Sequence, residues 1–214
     1  MRLAVLVSGS GTNLQAILDA ARERRLQAEV AVVVSNRAAA KALDRARDAG
    51  VEALVLGHKE FASREAYDAA LVALLRARGV DLVVLAGFMR IVTPVLLDAF
   101  PDRVVNIHPS LLPAFPGLDA QQQAFSAGVA VSGCTVHLVD GGMDTGPILA
   151  QAVVPVHAAD DVDAVRARIL VEEHRLLPEV LQWFVEGRVS VERAEGSAPR
   201  VRVEGRPRAR FGSL

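Results

Sequence analysis

The chain has 214 residues, 51% of them hydrophobic, and a formal net charge of −1, so it can bury a sizeable core. The near-neutral charge gives no global positive field, which argues against nucleic acid as a partner. No run approaches the ~20 apolar residues of a membrane span, no signal peptide is recognisable, and the single cysteine, Cys134, excludes an internal disulfide. We therefore expect a soluble protein of a reducing compartment, the cytoplasm.

The first half of the chain alternates short apolar runs with stretches of helical periodicity. Buried strands are predicted at residues 3–7, 30–34, 53–56, 81–86 and 104–107. Helices are predicted between them at residues 14–24, 38–49 and 64–78, the last of these capped by Ser63. Strands separated by helices of this length predict an α/β fold with a Rossmann-like, mostly parallel twisted sheet.

The pattern changes in the second half of the chain. Residues 131–139 and 148–156 are strand candidates, and the glycine-rich turn between them predicts an antiparallel C-terminal addition to the sheet. Residues 161–186 predict a long helix, in which Pro178 indicates a kink or a break. We predict a single domain over residues 1–195 and a loosely ordered tail over residues 196–214.

The turn after the first predicted strand reads SGSGTN at residues 8–13 and opens a helix. Glycines let the backbone approach an anion, and a helix start offers unpaired N–H groups and the positive end of the helix dipole. A dinucleotide site is one alternative, but Leu14 replaces the third glycine and no acidic residue ends the second strand. The motif favours a single phosphate, and a tight turn without a ligand is the other interpretation.

Asn106 and His108 lie two residues apart at the end of the fifth predicted strand, before a segment bracketed by prolines. Residues two apart on a strand face the same side, and open α/β sheets bind ligands at the carboxyl edge. An amide can hold a developing oxyanion, and a neighbouring histidine can move a proton near neutral pH. The pair predicts a catalytic site, and a strand end with a structural histidine is the alternative.

Two further loops add candidate residues. Asp144 lies in the glycine-rich turn at residues 140–147, where its carboxylate could orient a histidine, with a solvated hairpin tip as the alternative. The stretch at residues 85–92 follows the fourth predicted strand, and it could hold a flat heterocycle or pack as an ordinary connection. The five histidines show no metal-ligand spacing.

Together these motifs resemble the phosphoribosylglycinamide formyltransferase family, folate-dependent enzymes of purine synthesis. The resemblance spans residues 2 to about 188 and rests on segments 8–15, 63–68, 83–91, 106–113, 115–118 and 143–147. It implies transfer of the formyl group of 10-formyltetrahydrofolate to the amine of glycinamide ribonucleotide. It also implies a monomer or homodimer that uses no metal for catalysis.

The resemblance assigns roles to individual residues. It implies a catalytic role for three of them, Asn106, His108 and Asp144. It implies ribonucleotide binding by Gly11, Thr12, Asn13, Pro109 and Glu173, and folate binding by Arg64, Met89, Arg90, Ile91, Val92 and Asn106. The chain departs from the family's pattern at Ala114, Asp119, Gln121 and Gly142. The role of the loop at residues 114–121 therefore stays open.

Three other functions remain as alternatives. Formyltetrahydrofolate hydrolase usually begins with a regulatory domain, which we do not expect here. Methionyl-tRNA formyltransferase shares a run similar to NIHPSLLP at residues 106–113, but it needs a nucleic-acid-binding domain, for which this chain offers neither length nor positive charge. A nucleotide-binding module without catalysis is disfavoured by the set Asn106, His108 and Asp144.

Overall fold

The computed structural model describes residues 1–194, 196–205 and 207–211. The chain divides into two compact units, a first unit at Met1–Asn106 and a second unit at Ile107–Leu214. Within the described residues, no helix has both the length and the apolar character that a membrane crossing requires.

The first unit is built on five parallel strands in the order β5-β4-β1-β2-β3. The strands are β1 Arg2–Val7, β2 Glu29–Ser35, β3 Ala53–Val55, β4 Leu82–Leu85 and β5 Val104–His108, whose last two residues belong to the second unit. The helices are α1 Thr12–Arg22, α2 Ala42–Asp48, α3 Arg64–Arg76 and α4 Pro94–Ala99. This arrangement confirms the predicted Rossmann-like α/β sheet.

Strand β1 shows why this sheet forms. Its residues from Leu3 to Val7 are all fully buried, which is typical of a parallel strand covered on both faces. Helix α1 contributes Leu14, Ile17 and Leu18, which are buried at helical spacing. The apolar stripe of the helix and the continuous apolar run of the strand therefore share one core.

The second unit contains the strands β6 Val131–Leu138 and β7 Ile148–Pro155, which pair antiparallel and confirm the predicted C-terminal addition. The remaining elements are α5 Ala120–Ser126, α6 Val162–Val185, β8 Val189–Glu192, β9 Arg200–Val203 and β10 Ala209–Phe211. Strand β10 pairs parallel with β7, and β8 pairs antiparallel with β9 as a separate two-stranded sheet.

Several boundaries differ from the sequence-based expectation. Helix α6 is continuous through Pro178, because buried residues on both sides of the proline hold the helix in the core. Helix α2 begins four residues later than predicted, where Ala42 donates its N–H to the carbonyl of Gly9 at 3.1 Å. Strands β9 and β10 fall in the predicted tail at 196–214, of which residues 206 and 212–214 lie outside the described chain.

Candidate active site

Asp144 lies between two histidines of the second unit. Its Oδ2 is 3.4 Å from Nδ1 of His108, and its Oδ1 is 3.7 Å from Nε2 of His137. The backbone N–H of Gly117 donates to Oδ2 at 2.8 Å. The side chains of His108, Asp144 and His137 are only 6%, 14% and 2% exposed, so their electrostatic interactions are weakly screened by water.

The turn between β6 and β7 has a shape that presents the Asp144 carboxylate. Asp144 itself adopts a φ of 56°, a left-handed conformation that aspartate tolerates better than most residues. Gly146 passes so close to the backbone of Leu138 that a Cβ there would lie 1.9 Å from the carbonyl oxygen. The hydroxyl of Thr145 donates to Oδ1 of Asp140 at 2.7 Å. A glycine and a local side-chain hydrogen bond therefore fix the turn.

Both ring nitrogens of His108 face hydrogen-bond acceptors. Nε2 lies 2.9 Å from the carbonyl oxygen of Phe115, while Nδ1 faces Asp144. A neutral imidazole ring carries one N–H and can donate to only one of these acceptors at a time. The hydroxyl of Ser110 donates to the carbonyl of Ala114 at 2.6 Å and approaches that of Phe115 at 3.2 Å. The loop thus holds a backbone acceptor against the His108 ring.

His137 was not among the residues that the sequence placed in the site. Its Nδ1 lies 2.9 Å from the carbonyl oxygen of Leu138. Burial lowers the pKa of His137, although the hydrogen bond with Leu138 and the charge of Asp144 act to raise it. His137 is therefore neutral at pH 7. The strand pattern at residues 131–139 could have marked His137 as pointing to one face, but not that this face meets the turn.

A buried polar network supports the loop that follows His108. The Thr135 hydroxyl donates to the carbonyl of Ser110 at 2.7 Å and accepts from the N–H of Leu112 at 3.0 Å. The Gln151 amide donates to the carbonyl of Leu112 at 2.9 Å. Strands β6 and β7 therefore fix the backbone of this loop through side-chain hydrogen bonds.

Asn106 and the loops that follow β1 and β4 lie at one edge of the first unit. In the parallel register, Leu6 is the partner of Leu85, and Leu85 is the partner of Asn106. The carboxyl ends of β1, β4 and β5 are therefore side by side. Asn106 is half-buried and precedes His108 by two positions on β5, so both residues face the same side of the strand.

The loop at residues 8–13 is held from behind by α2. Gly11 has a φ of 74°, and a Cβ on it would lie 2.5 Å from the Cβ of Ala42, so no larger residue fits there. Arg45 donates from Nε to the carbonyl of Ser10 at 2.8 Å. Helix α1 starts at Thr12 directly after Gly11, so the positive end of the helix dipole lies at this loop. The loop therefore offers backbone donors at a helix start.

The segment that follows β4 combines exposed apolar side chains with a fixed cation. Met89 is 59% exposed and Ile91 is 48% exposed, whereas Val92 is buried. The guanidinium carbon of Arg90 lies 4.6 Å from the centre of the Tyr67 ring, on α3. An apolar surface and a positive charge are thus presented together.

The remaining three predicted site residues are Arg64, Pro109 and Glu173. Arg64 is exposed at the first position of α3, one turn before Tyr67. Pro109 is half-buried directly after His108. Glu173 is buried on α6, where its charge adds to the effect of burial in raising the pKa of Cys134. In the part of the chain that the structure describes, no group of three or more His, Cys, Asp or Glu residues could hold a metal ion.

Comparison with known proteins relates the chain to formyl transferases. A family model described as "Formyl transferase" matches residues 1–181. The trifunctional purine biosynthetic protein adenosine-3 of Drosophila melanogaster is 50% identical over 188 residues, which cover 87% of this chain. The chain spans only 14% of the length of that protein.

Two relatives have nearly the same length as this chain. The phosphoribosylglycinamide formyltransferase of Escherichia coli K12 is 44% identical over 191 residues, covering 89% of this chain and 90% of that protein. The crystal structure of glycinamide ribonucleotide transformylase 1 from Symbiobacterium toebii superposes with a TM-score of 0.90 at 58% identity. That superposition covers 95% of this chain and 93% of the other.

Proposed function

The chain belongs to the formyl transferase family, and we propose that it transfers the formyl group of 10-formyltetrahydrofolate to the amine of glycinamide ribonucleotide. One observation carries the proposal: the half-buried carboxylate of Asp144 lies 3.4 Å from His108 and 3.7 Å from His137 on a turn fixed by a glycine. Relatives of nearly the same length that are named for this reaction support the choice of substrates. The reaction is a step of de novo purine synthesis.

In the proposed reaction, the amine nitrogen of the ribonucleotide attacks the formyl carbon, and the carbonyl oxygen becomes negatively charged. The Asn106 amide and the protonated ring of His108 donate hydrogen bonds to that oxygen. Asp144 stabilises the charged ring of His108 and assists transfer of a proton from the attacking amine to the leaving nitrogen of the folate. The C–N bond to the folate then breaks, which gives formylglycinamide ribonucleotide and tetrahydrofolate.

In the proposed mechanism, the carbonyl oxygen of Phe115 is exchanged for the reacting oxygen as the acceptor of His108. It occupies the acceptor position at Nε2 of His108, at 2.9 Å. A full oxyanion is a stronger acceptor than a neutral carbonyl, so the reacting oxygen displaces Phe115 as its charge develops. The exchange therefore favours the transition state over the bound substrate.

The ribonucleotide phosphate binds to the backbone at Gly11, Thr12 and Asn13, where the start of α1 supplies N–H groups and a positive dipole end. Pro109 and Glu173 contact the rest of the ribonucleotide, and Glu173 accepts hydrogen bonds from the ribose hydroxyls. No metal takes part in this scheme.

The folate binds along the segment after β4 and reaches Asn106. Met89, Ile91 and Val92 supply apolar contacts for its flat rings. Arg64 and Arg90 supply the positive charge that matches the glutamate carboxylates of a folate.

The proposal also includes a cytoplasmic location, a monomer or homodimer, and no nucleic acid or membrane as partner.

An assay of the purified protein with 10-formyltetrahydrofolate, with and without glycinamide ribonucleotide, tests the proposal. We expect tetrahydrofolate to form only when the ribonucleotide is present, in a one-to-one ratio with formylglycinamide ribonucleotide. Folate turnover without the ribonucleotide, with release of formate, would replace the transferase by a formyltetrahydrofolate hydrolase. A protein that binds both ligands and forms neither product would be a nucleotide-binding module.

A further inference from the structure

The hydroxyl of Ser8 joins two segments of the first unit that the proposed function assigns to different substrates. Ser8 is only 3% exposed. Its Oγ accepts a hydrogen bond from the N–H of Met89 at 2.9 Å and donates one to Oδ1 of Asn36 at 2.6 Å. Its backbone N–H donates to the carbonyl of Gly87 at 3.1 Å. Ser8 is therefore attached to the segment after β4 by both its backbone and its side chain.

Asn36 determines which way this hydroxyl points. Its carbonyl oxygen Oδ1 takes the only proton of Ser8 Oγ, so a lone pair of Oγ is left for the N–H of Met89. Asn36 is itself 5% exposed at the end of β2. A side chain without a hydroxyl at position 8 would leave two polar groups without this partner, one of them on the segment that carries Met89.

The residues next to the hydrogen bonds of Ser8 belong to the two proposed substrate sites, the phosphate loop and the folate-binding segment after β4. Ser8 is followed after two residues by Gly11, whose position against Ala42 allows little movement. Met89 is exposed beside Arg90, which lies over the Tyr67 ring. A shift of the Met89 backbone is therefore passed to the phosphate loop through the buried hydroxyl of Ser8, which acts beside the backbone hydrogen bond from Ser8 to Gly87.

We propose that Ser8 is a positioning residue that couples ribonucleotide binding to folate binding. The inference rests on the proposed function, because it takes the substrate assigned to each segment from there. Ser8 contacts no reacting atom in this scheme. A folate that orders the segment at Met89 also orders Ser8 and the loop that follows, so the ribonucleotide then binds with a smaller loss of conformational entropy.

Ser35 provides a matched control in the same unit. Its side chain is fully buried at the end of β2, like that of Ser8 at the end of β1. Among the described residues, its hydroxyl bonds to the backbone of Arg37, from which it accepts at 3.0 Å and to which it donates at 2.9 Å. Ser35→Ala thus removes a buried serine hydroxyl that bonds neither to the loop at residues 8–13 nor to the segment after β4.

The test measures the dissociation constant of glycinamide ribonucleotide by calorimetry, alone and with saturating tetrahydrofolate, which lacks the formyl group and cannot react. We expect tetrahydrofolate to tighten ribonucleotide binding at least about fivefold in the unaltered protein and in Ser35→Ala. In Ser8→Ala we expect a ratio near one. Ser8→Cys, with a similar size and a weak hydrogen-bonding group, should fall between the two.

Thermal midpoints for all four proteins accompany the titrations, so that misfolding is recognised. If Ser8→Ala does not fold, the ratio in Ser8→Cys decides, and an unchanged ratio there overturns the inference. Equal loss of coupling in Ser35→Ala, or an unaltered protein that binds both ligands without coupling, overturns it as well and leaves the proposed function standing. An unaltered protein that binds neither ligand overturns the proposed function and the inference together.

Discussion

The two regions proposed to bind and transform the substrates are built from different parts of the chain. In the first unit, residues 8–13 and 87–93 form loops that are held by the buried hydroxyl of Ser8 and by the tight fit of Gly11 against Ala42. In the second unit, the cluster consists of the half-buried Asp144 and two buried histidines, whose functional groups face one another. A change in the first region should therefore alter substrate binding, and a change in the second should alter the rate of reaction.

His108→Ala should give the largest effect and tests the second region. We expect kcat to fall by about 10²–10⁴, as is typical when a positioned acid–base group is removed, while both substrates still bind. Steady-state kinetics and separate ligand titrations measure the two quantities. His157→Ala is the control, because His157 is an exposed histidine of the same unit and should leave kcat unchanged. A loss smaller than about tenfold in a folded His108→Ala protein would contradict the catalytic role.

Asp144→Asn should lower kcat by about 10²-fold, because it removes the charge between His108 and His137 but keeps the size of the side chain. Asp140→Asn removes a charge from the same turn, where Oδ1 accepts from Thr145 and Gly142, and an asparagine oxygen can still accept. We expect only a small change of kcat in that control. If kcat falls equally in the two variants, the reaction depends on the total negative charge of the turn, and Asp144 has no specific catalytic role.

Gly11→Val tests the first region. A side chain at this position meets Ala42 and displaces the loop, so we expect ribonucleotide binding to weaken by about 10- to 100-fold, as for one lost hydrogen bond to a charged group. Folate binding alone should stay close to its original strength. Gly9→Ala adds a methyl group that meets nothing within 4 Å, and its loss should be clearly smaller. Equal weakening of both substrates by Gly11→Val would indicate a damaged fold.

Tyr67→Leu should give a smaller effect in the same unit. The Tyr67 ring lies under Arg90, so its removal should raise the KM for the folate by about two- to fivefold through loss of the cation–π contact. Tyr67→Phe keeps the ring and removes a buried hydroxyl that has no hydrogen-bond partner in the described structure. Burial also raises the pKa of Tyr67 to about 12, so the phenol stays neutral. If the KM for the folate rises equally in Tyr67→Leu and Tyr67→Phe, the contact of the ring with Arg90 does not contribute to folate binding.

The smallest expected effect concerns the pH dependence of stability. Because burial lowers the pKa of His137 in the folded protein, the unfolded chain binds a proton more readily. The corresponding stability is present above the unfolded pKa near 6.5 and is lost as the pH falls below it toward the folded pKa. In His137→Gln, the drop of Tm between about pH 7.5 and about pH 5.5 should become smaller. An unchanged drop would show that another group controls acid destabilisation.

Local patterns predicted the elements that depend on neighbours in the chain. The cap at Ser63 is an example, because the N–H of Ala66 donates to its hydroxyl at 3.1 Å, three residues away. The short helices α4 and α5 were not predicted, since elements of six and seven residues contain too few turns to show a period. Strands β9 and β10 were missed for a related reason, because the Arg-Val-Arg-Val alternation of β9 and the three residues of β10 are too short to stand out in a segment rich in Arg, Gly and Pro.

The sequence by itself determined the parallel sheet of the first unit, the glycine at position 11, and the common strand face of Asn106 and His108, because periodicity and glycine requirements are local properties. Only the tertiary structure decided that His137 and the carbonyl of Phe115 complete the surroundings of Asp144 and His108. It also decided that Ser8 bonds to the residue 81 positions further along the chain. Such contacts depend on how separate elements pack, and no local pattern specifies which buried polar groups meet.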